Sequence, residues 1–239
     1  MKRFWETADI GPVPGGYAIL LDGKPMRLPG GEVLCVEAER LARAIAEEWQ
    51  RAGGGKGGEM SFADTPLTRL AGTAQQRIAP DPAPTVDAIA RYAESDLLCY
   101  RAEAPQELVR RQARLWQPWL DWAALAYDAP LRTSTGVAYV QQHRSSIAAL
   151  RKAVAALDVP ALAALGIAVP ALGSVVLGLA LAEGRLDAAT AHALGSLDEL
   201  FQAEAWGEDT EAAARRRAIA ADIDLAARFL QLTRGAPAA

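Results

Sequence analysis

Residues 17–49 read YAILLDGKPMRLPGGEVLCVEAERLARAIAEEW, and within them the hydrophobic period changes from two to about four. Tyr17, Ile19 and Leu21 alternate onto one face, as side chains of a half-buried strand do. Asp22-Gly23 is a turn dipeptide that tolerates positive φ, so Lys24 to Leu28 is expected to return as the hairpin partner. Glu32 to Val36 reads as a third strand. From Ala38 the spacing is helical, with Leu41, Ile45 and Trp49 on one stripe. Gly53-Gly54-Gly55 ends that helix, because glycine has the most backbone freedom to lose on folding. A small sheet followed by a helix is the start of an α+β fold.

Working outward, Leu67, Leu70, Ala71, Ala74 and Ile78 form a second amphipathic helix, closed by the prolines between Pro80 and Pro84. That composition shift marks an expected boundary: residues 1–82 as a β-rich α+β domain, residues 83–239 as a mostly α-helical orthogonal bundle. Beyond it the periods are helical. Val86, Ile89, Ala90 and Ala93 make one stripe, Trp116, Trp119, Leu120 and Ala123 another, and Ile147, Leu150, Val154 and Leu157 a third. Asp187 can cap a short helix that ends at Gly195. The last long helix is expected to open at Asp209 and run through Phe229 and Leu232. Residues 159–182 carry no charge and approach the length of a membrane span. Pro160, Gly166, Pro170, Gly173 and Gly178 interrupt them, and alanine, which drives insertion weakly, supplies much of the apolarity. The segment therefore reads as a broken pair of buried helices, and no membrane insertion is expected.

The chain has 239 residues, 51% hydrophobic and 23% charged, ordinary values for a protein that buries a core. A net charge of −4 argues against nucleic acid, which demands a cationic surplus. Cys35 and Cys99 are too few for a disulfide framework and suit a reducing compartment. Met1-Lys2-Arg3-Phe4-Trp5 runs straight into polar residues, without the apolar stretch of a secretory signal. A bacterial cytoplasmic location is expected.

Chemistry-bearing residues are sparse. GGGKGG at 53–58 departs from the phosphate-loop pattern, since Lys56 precedes Gly57 and the loop follows a helix; it reads as a flexible surface loop. His143 and His192 have no second ligand at metal spacing and no nucleophile motif beside them, so no metal or cofactor is called for. Ser134, Ser145, Ser146 and Ser174 read as loop or helix-start residues. The stretch 96–136 is rich in aromatic, cationic and amide groups and poor in anything that could be a nucleophile or a metal site. Within it Trp116, Trp119 and Trp122 read as core rather than as a groove, and Pro118 is expected to kink or start a helix. The run DELFQAEAWGEDTE at 198–211 mixes acids with Phe201 and Trp206. It reads either as a solvated face whose acids complement a helix start and pair with Arg215 to Arg217, or as a protein-binding patch of aromatic surface ringed by charge.

An ordered set of short motifs carries a resemblance. Arg3-Phe4-Trp5, Leu21-Asp22-Gly23-Lys24-Pro25, Ala46-Glu47-Glu48-Trp49, Pro66 to Ala71, and Asp96 to Arg101 occur in sequence. They are followed by Trp119-Leu120-Asp121-Trp122-Ala123, Gly173 to Leu177, and Asp198-Glu199 with Trp206-Gly207. Together they resemble the assembly chaperone of the ATP synthase catalytic sector that acts on the alpha subunit (the Atp-twelve type). The likeness spans nearly the whole chain. It departs at the glycine loop, where the family has a polar connection, and at Gly72, where it more often has Asn.

The resemblance implies a chaperone and not an enzyme, one that holds free alpha subunit and masks its beta-subunit interface until assembly. It implies a monomer with a protein partner, and a mitochondrial matrix location in eukaryotic relatives. Carried over by position, Asp198, Glu199, Gln202, Trp206 and Asp209 are the expected partner-binding residues, and Trp49 belongs to fold integrity. The alternative is a small soluble hydrolase or isomerase using paired carboxylates between Asp198 and Glu211. That reading requires two of those acids to converge in a pocket, with at least one pKa strongly raised.

Overall fold

A computed structural model describes residues 1–136 and 138–234. Two compact units emerge: Met1–Pro82 together with the last described residues from Arg228 on, and Ala83–Ala227. The sequence reading assigned those last residues to the second region instead. Phe229 and Leu230 there are almost completely buried.

The first unit opens with a hairpin that the sequence reading did not include, while the return expected over Lys24 to Leu28 is cut to two residues. Strands β1 (Ala8–Val13) and β2 (Gly16–Leu21) pair antiparallel along their whole length. The far edge of β2 is shared by two short strands, β3 (Lys24–Pro25) beside Leu20 and Leu21, and β4 (Cys35–Val36) beside Tyr17 and Ala18. The strand expected over Glu32 to Val36 is thus cut to its last two residues, with Val33 making only an isolated bridge to Arg27. Asp22 and Gly23 both take positive φ at the turn, as the dipeptide demands. Helix α1 (Glu39–Arg51) covers the sheet with Leu41, Ile45 and Trp49, all buried. Helix α2 (Pro66–Thr73) has Pro at its start and runs into one π-helical turn, Ala74–Ile78, so the expected second amphipathic helix exists with a change of pitch.

Buried polar groups bind these pieces together. Arg3, 3% exposed, donates to the carbonyls of Trp5, Glu6, Gln50 and Ala52, and so caps the end of α1 with a cation. Trp5 donates from Nε1 to the Trp49 carbonyl at 3.1 Å, and Trp49 donates to Thr68 Oγ1 at 2.8 Å. Glu48 accepts from the Leu67 and Thr68 amides, capping α2 from a neighbouring helix. The glycine loop is tethered: Gly57 donates to the Arg3 carbonyl, Arg3 donates to the Gly58 carbonyl, and Lys56 pairs with Glu6 at 2.8 Å.

The second unit is helical apart from a two-stranded parallel ribbon, β5 (Tyr100–Arg101) with β6 (Ser134–Thr135), that the sequence did not suggest. Its helices are α3 (Ala83–Ala90), α4 (Gln106–Tyr127), α5 (Arg144–Ala155), α6 (Val159–Leu172), α7 (Val175–Ala182), α8 (Ala188–Gly195), α9 (Leu197–Trp206) and α10 (Thr210–Thr233), the last ending in the first unit. The uncharged stretch 159–182 is the expected broken pair: α6 closes at Gly173 in the left-handed region and α7 restarts at the Ser174 cap. No helix among the described residues is long and apolar enough to cross a membrane. Asp96, fully buried, accepts from Ser174 Oγ and the Leu98 and Val176 amides, which ties the start of α7 to the turn before β5. Burial pushes its pKa up to about 6, against those hydrogen bonds.

Helix α4 narrows one reading and corrects another. Pro118 lies inside it, on an exposed face, which excludes the helix start that was one of its two expected roles. Of the three tryptophans only Trp116 is core; Trp119 and Trp122 are half-buried, edge to face with each other at 6.1 Å. The core stripe is Leu108, Gln112, Trp116, Leu120 and Ala123, spaced at three and four residues.

A candidate partner-binding surface on the last two helices

The five expected residues fall on one helix and the corner that follows it. Helix α9 is anchored to α4 by its buried face. The Arg111 guanidinium lies 5.2 Å from the centre of the buried Phe201 ring, and Trp116 donates from Nε1 to the Leu194 carbonyl at 3.0 Å, which holds the end of the preceding helix α8 to α4. The corner itself is built from three local signals. Gly207 has φ of +89°, a conformation that L side chains rarely adopt. Its amide donates to the Ala203 carbonyl, closing α9. Asp209 then accepts from the Ala212 amide at 2.8 Å and caps α10.

Each acid in the run has a particular neighbour. Asp198 is half-buried and accepts from Gln112 Nε2 at 2.8 Å; Gln112, 1% exposed, also accepts from the Ala102 amide at 2.8 Å. Burial lifts Asp198 above the usual carboxylate range, while the Gln112 hydrogen bond and the Arg101 charge pull it back. Glu199 lies 3.4 Å from Arg215 and 3.7 Å from Arg216. Glu204 pairs with Arg111 at 2.7 Å, and Glu208 with Arg216 at 2.8 Å. Arg216 is itself buried, its side chain 8% exposed. Gln202 and Asp209 are exposed, and Trp206 is 81% exposed, in contrast to buried Trp5, Trp49 and Trp116.

Asp198 and Glu199 thus engage different partners, a buried amide and two guanidiniums, rather than facing each other across a shared proton. Among the described residues no group of three or more His, Cys, Asp or Glu is placed to hold a metal ion. Gln112 and Arg111 support this candidate surface and were missed by sequence reasoning, whereas Arg216 falls in the arginine run already read as pairing with these acids. Periodicity held the one usable signal: a glutamine on the apolar stripe of α4 needs a buried polar partner.

Comparison with known proteins followed the same lines. A family model described as ATP12 chaperone protein matches residues 2–124. The crystal structure of Atp12 from Paracoccus denitrificans is 45% identical, covers 98% of both chains and superposes with a TM-score of 0.90. A putative chaperone from Agrobacterium tumefaciens is 39% identical, covers 98% of this chain and 86% of its own, and gives a TM-score of 0.88. The mitochondrial protein atp12 of Schizosaccharomyces pombe is 25% identical over 214 residues, 86% of this chain and 74% of that protein.

Proposed function

The chain belongs to the ATP12 chaperone family, chaperones of ATP synthase assembly and not enzymes, and from that premise we propose that it binds free alpha subunit and covers the interface awaiting the beta subunit. The physical need is general. A permanent subunit interface is large and apolar, so an unpaired subunit exposes surface that aggregates. Covering it takes complementary shape and a moderate off-rate, with no reacting group. The observation that carries the reading on this chain is Trp206, a large apolar side chain held out to solvent at a fixed corner. Asp198, Glu199, Gln202, Trp206 and Asp209 make up the proposed docking surface. Action as a monomer in a cytoplasm-like compartment completes the proposal.

Capture of purified alpha subunit by the purified chain tests it. A stoichiometric complex with free alpha subunit, lost when beta subunit is added, is the expected result. Absence of any complex with alpha subunit overturns the assignment.

A further inference from the structure

The acids that give this surface its charged look are occupied inside the chain. Asp198 holds Gln112, Glu199 lies against Arg215 and Arg216, Glu204 pairs with Arg111, Glu208 with Arg216, and Asp209 caps α10. Glu211 stands in the first turn of α10, where the helix dipole compensates it. What is left facing solvent without a polar obligation is the indole of Trp206. Its backbone is fixed on both sides, by the closure of α9 at Ala203 and by Gly207 and the Asp209 cap. Buried Arg216 joins α9 to the corner through Glu199 and Glu208.

We propose that Trp206 is the anchor of the docking surface, entering an apolar, indole-sized pocket on the partner protein, while the acids around it act as struts rather than as charges the partner reads. The inference rests on the chaperone reading above and names how that surface grips. Tryptophan is over-represented among residues that dominate binding, because it brings large area with few rotatable bonds. A preset anchor also loses little entropy on docking. Compensated charge around it calls for a partner face that is apolar at its centre and not strongly basic, as subunit surfaces destined for permanent burial are. Arg216 is then a positioning residue: it touches no partner and holds the corner that displays the indole.

The test measures the dissociation constant for free alpha subunit at about 50 mM and about 500 mM salt, a range that removes most screening-sensitive attraction. For the unmodified chain the constant should change less than about threefold. Trp206→Ala should weaken binding by at least about thirtyfold and Trp206→Phe by less than about tenfold, with unchanged unfolding temperature for both. Arg216→Met should weaken binding in both salts, and hydrogen exchange should rise in residues 203–212. A steep salt dependence, or Trp206→Ala binding like the parent, overturns the anchor. Membranes from cells carrying Trp206→Ala separate this from the partner assignment. If the unmodified chain binds no alpha subunit and those cells still lack assembled ATP synthase, the partner is wrong and the anchor stands. If they assemble it normally, the anchor is refuted.

Discussion

Gln112 is the residue on which the placement of α9 turns, and its replacement gives a prediction with a magnitude. Its carboxamide makes two bonds in a site 1% exposed: it accepts from the Ala102 amide and donates to Asp198, both at 2.8 Å. Its backbone carbonyl also accepts from Arg101, a bond that survives any side-chain change. Gln112→Leu keeps the volume and removes both side-chain bonds. An amide left without an acceptor costs about 1–3 kcal/mol. The bond to Asp198 is worth about 1 kcal/mol more, reduced from the charged-group value because Asp198 is half-exposed to solvent. The apolar side chain recovers roughly 1–2 kcal/mol of burial. At the middle of these ranges the net loss is about 1.5 kcal/mol, or about 3–6 °C in unfolding temperature for a unit of this length.

Gln112→Glu sharpens the test. It keeps the acceptor for Ala102 but sets a second carboxylate against Asp198. The two titrate as a pair whose second pKa is raised by their mutual repulsion, so this variant should lose stability as pH rises from about 5 to about 8. Adding Asp198→Asn returns a donor to the contact with its direction reversed, and about 1–2 kcal/mol of coupling should reappear in a double-mutant cycle. Thermal unfolding followed by circular dichroism at several pH values reads all three variants. If Gln112→Leu melts within about a degree of the parent, or the double variant is no better than Gln112→Glu alone, the clamp contributes nothing and the reasoning fails.

Two further predictions concern buried charge. Arg3→Lys keeps the cation but loses the planar fork that serves four carbonyls, and should cost about 2–3 kcal/mol in urea unfolding with an unchanged m value; a shift under about 0.5 kcal/mol would show that charge alone suffices. Asp96 has a pKa raised from 3.8 to about 6, so the folded state holds its proton more tightly than the unfolded chain. Its contribution to stability is therefore complete below pH 3.8 and is lost as pH rises through about 6. Asp96→Asn should flatten the stability–pH profile across that interval, and an unchanged slope refutes the assignment.

The fold was readable in outline because its signals are local. A strand period, an Asp-Gly turn and a helix period within residues 17–49 specify β2, the turn into β3, and α1, and each depends on neighbours a few residues apart, whereas β1 was not read at all. The uncharged stretch 159–182 declared its own break, since Gly173 and Ser174 are a helix stop followed by a helix start. Strand length at the sheet edge was not readable. How far Glu32 to Val36 pairs is set by the competition of β3 and β4 for one edge of β2, a tertiary matter. Pro118 left a helix start and a helix interior both open for a related reason: proline breaks an isolated helix, yet on the exposed face of a long packed helix, water can serve the carbonyl it leaves free.

The acid run shows where such reading stops and why. A sequence displays formal charge, and six acids between 198 and 211 look like an electrostatic patch. Whether charge is offered or absorbed depends on counterparts that arrive from elsewhere: Arg111 reaches Glu204 across 93 residues of chain and Gln112 reaches Asp198 across 86. No local pattern encodes those pairings; they follow from α4 packing against the end of α8 through Trp116 and against Phe201 of α9 through Arg111. The same burial explains why Asp198 is a poor single probe of docking. Putting lysine there reverses a charge and also places an ammonium against the Gln112 amide donor, so lost binding can come from a displaced helix as readily as from a missing contact. Exposed Trp206 is free of that ambiguity, because removing its indole alters what α9 presents while leaving every strut beneath it in place.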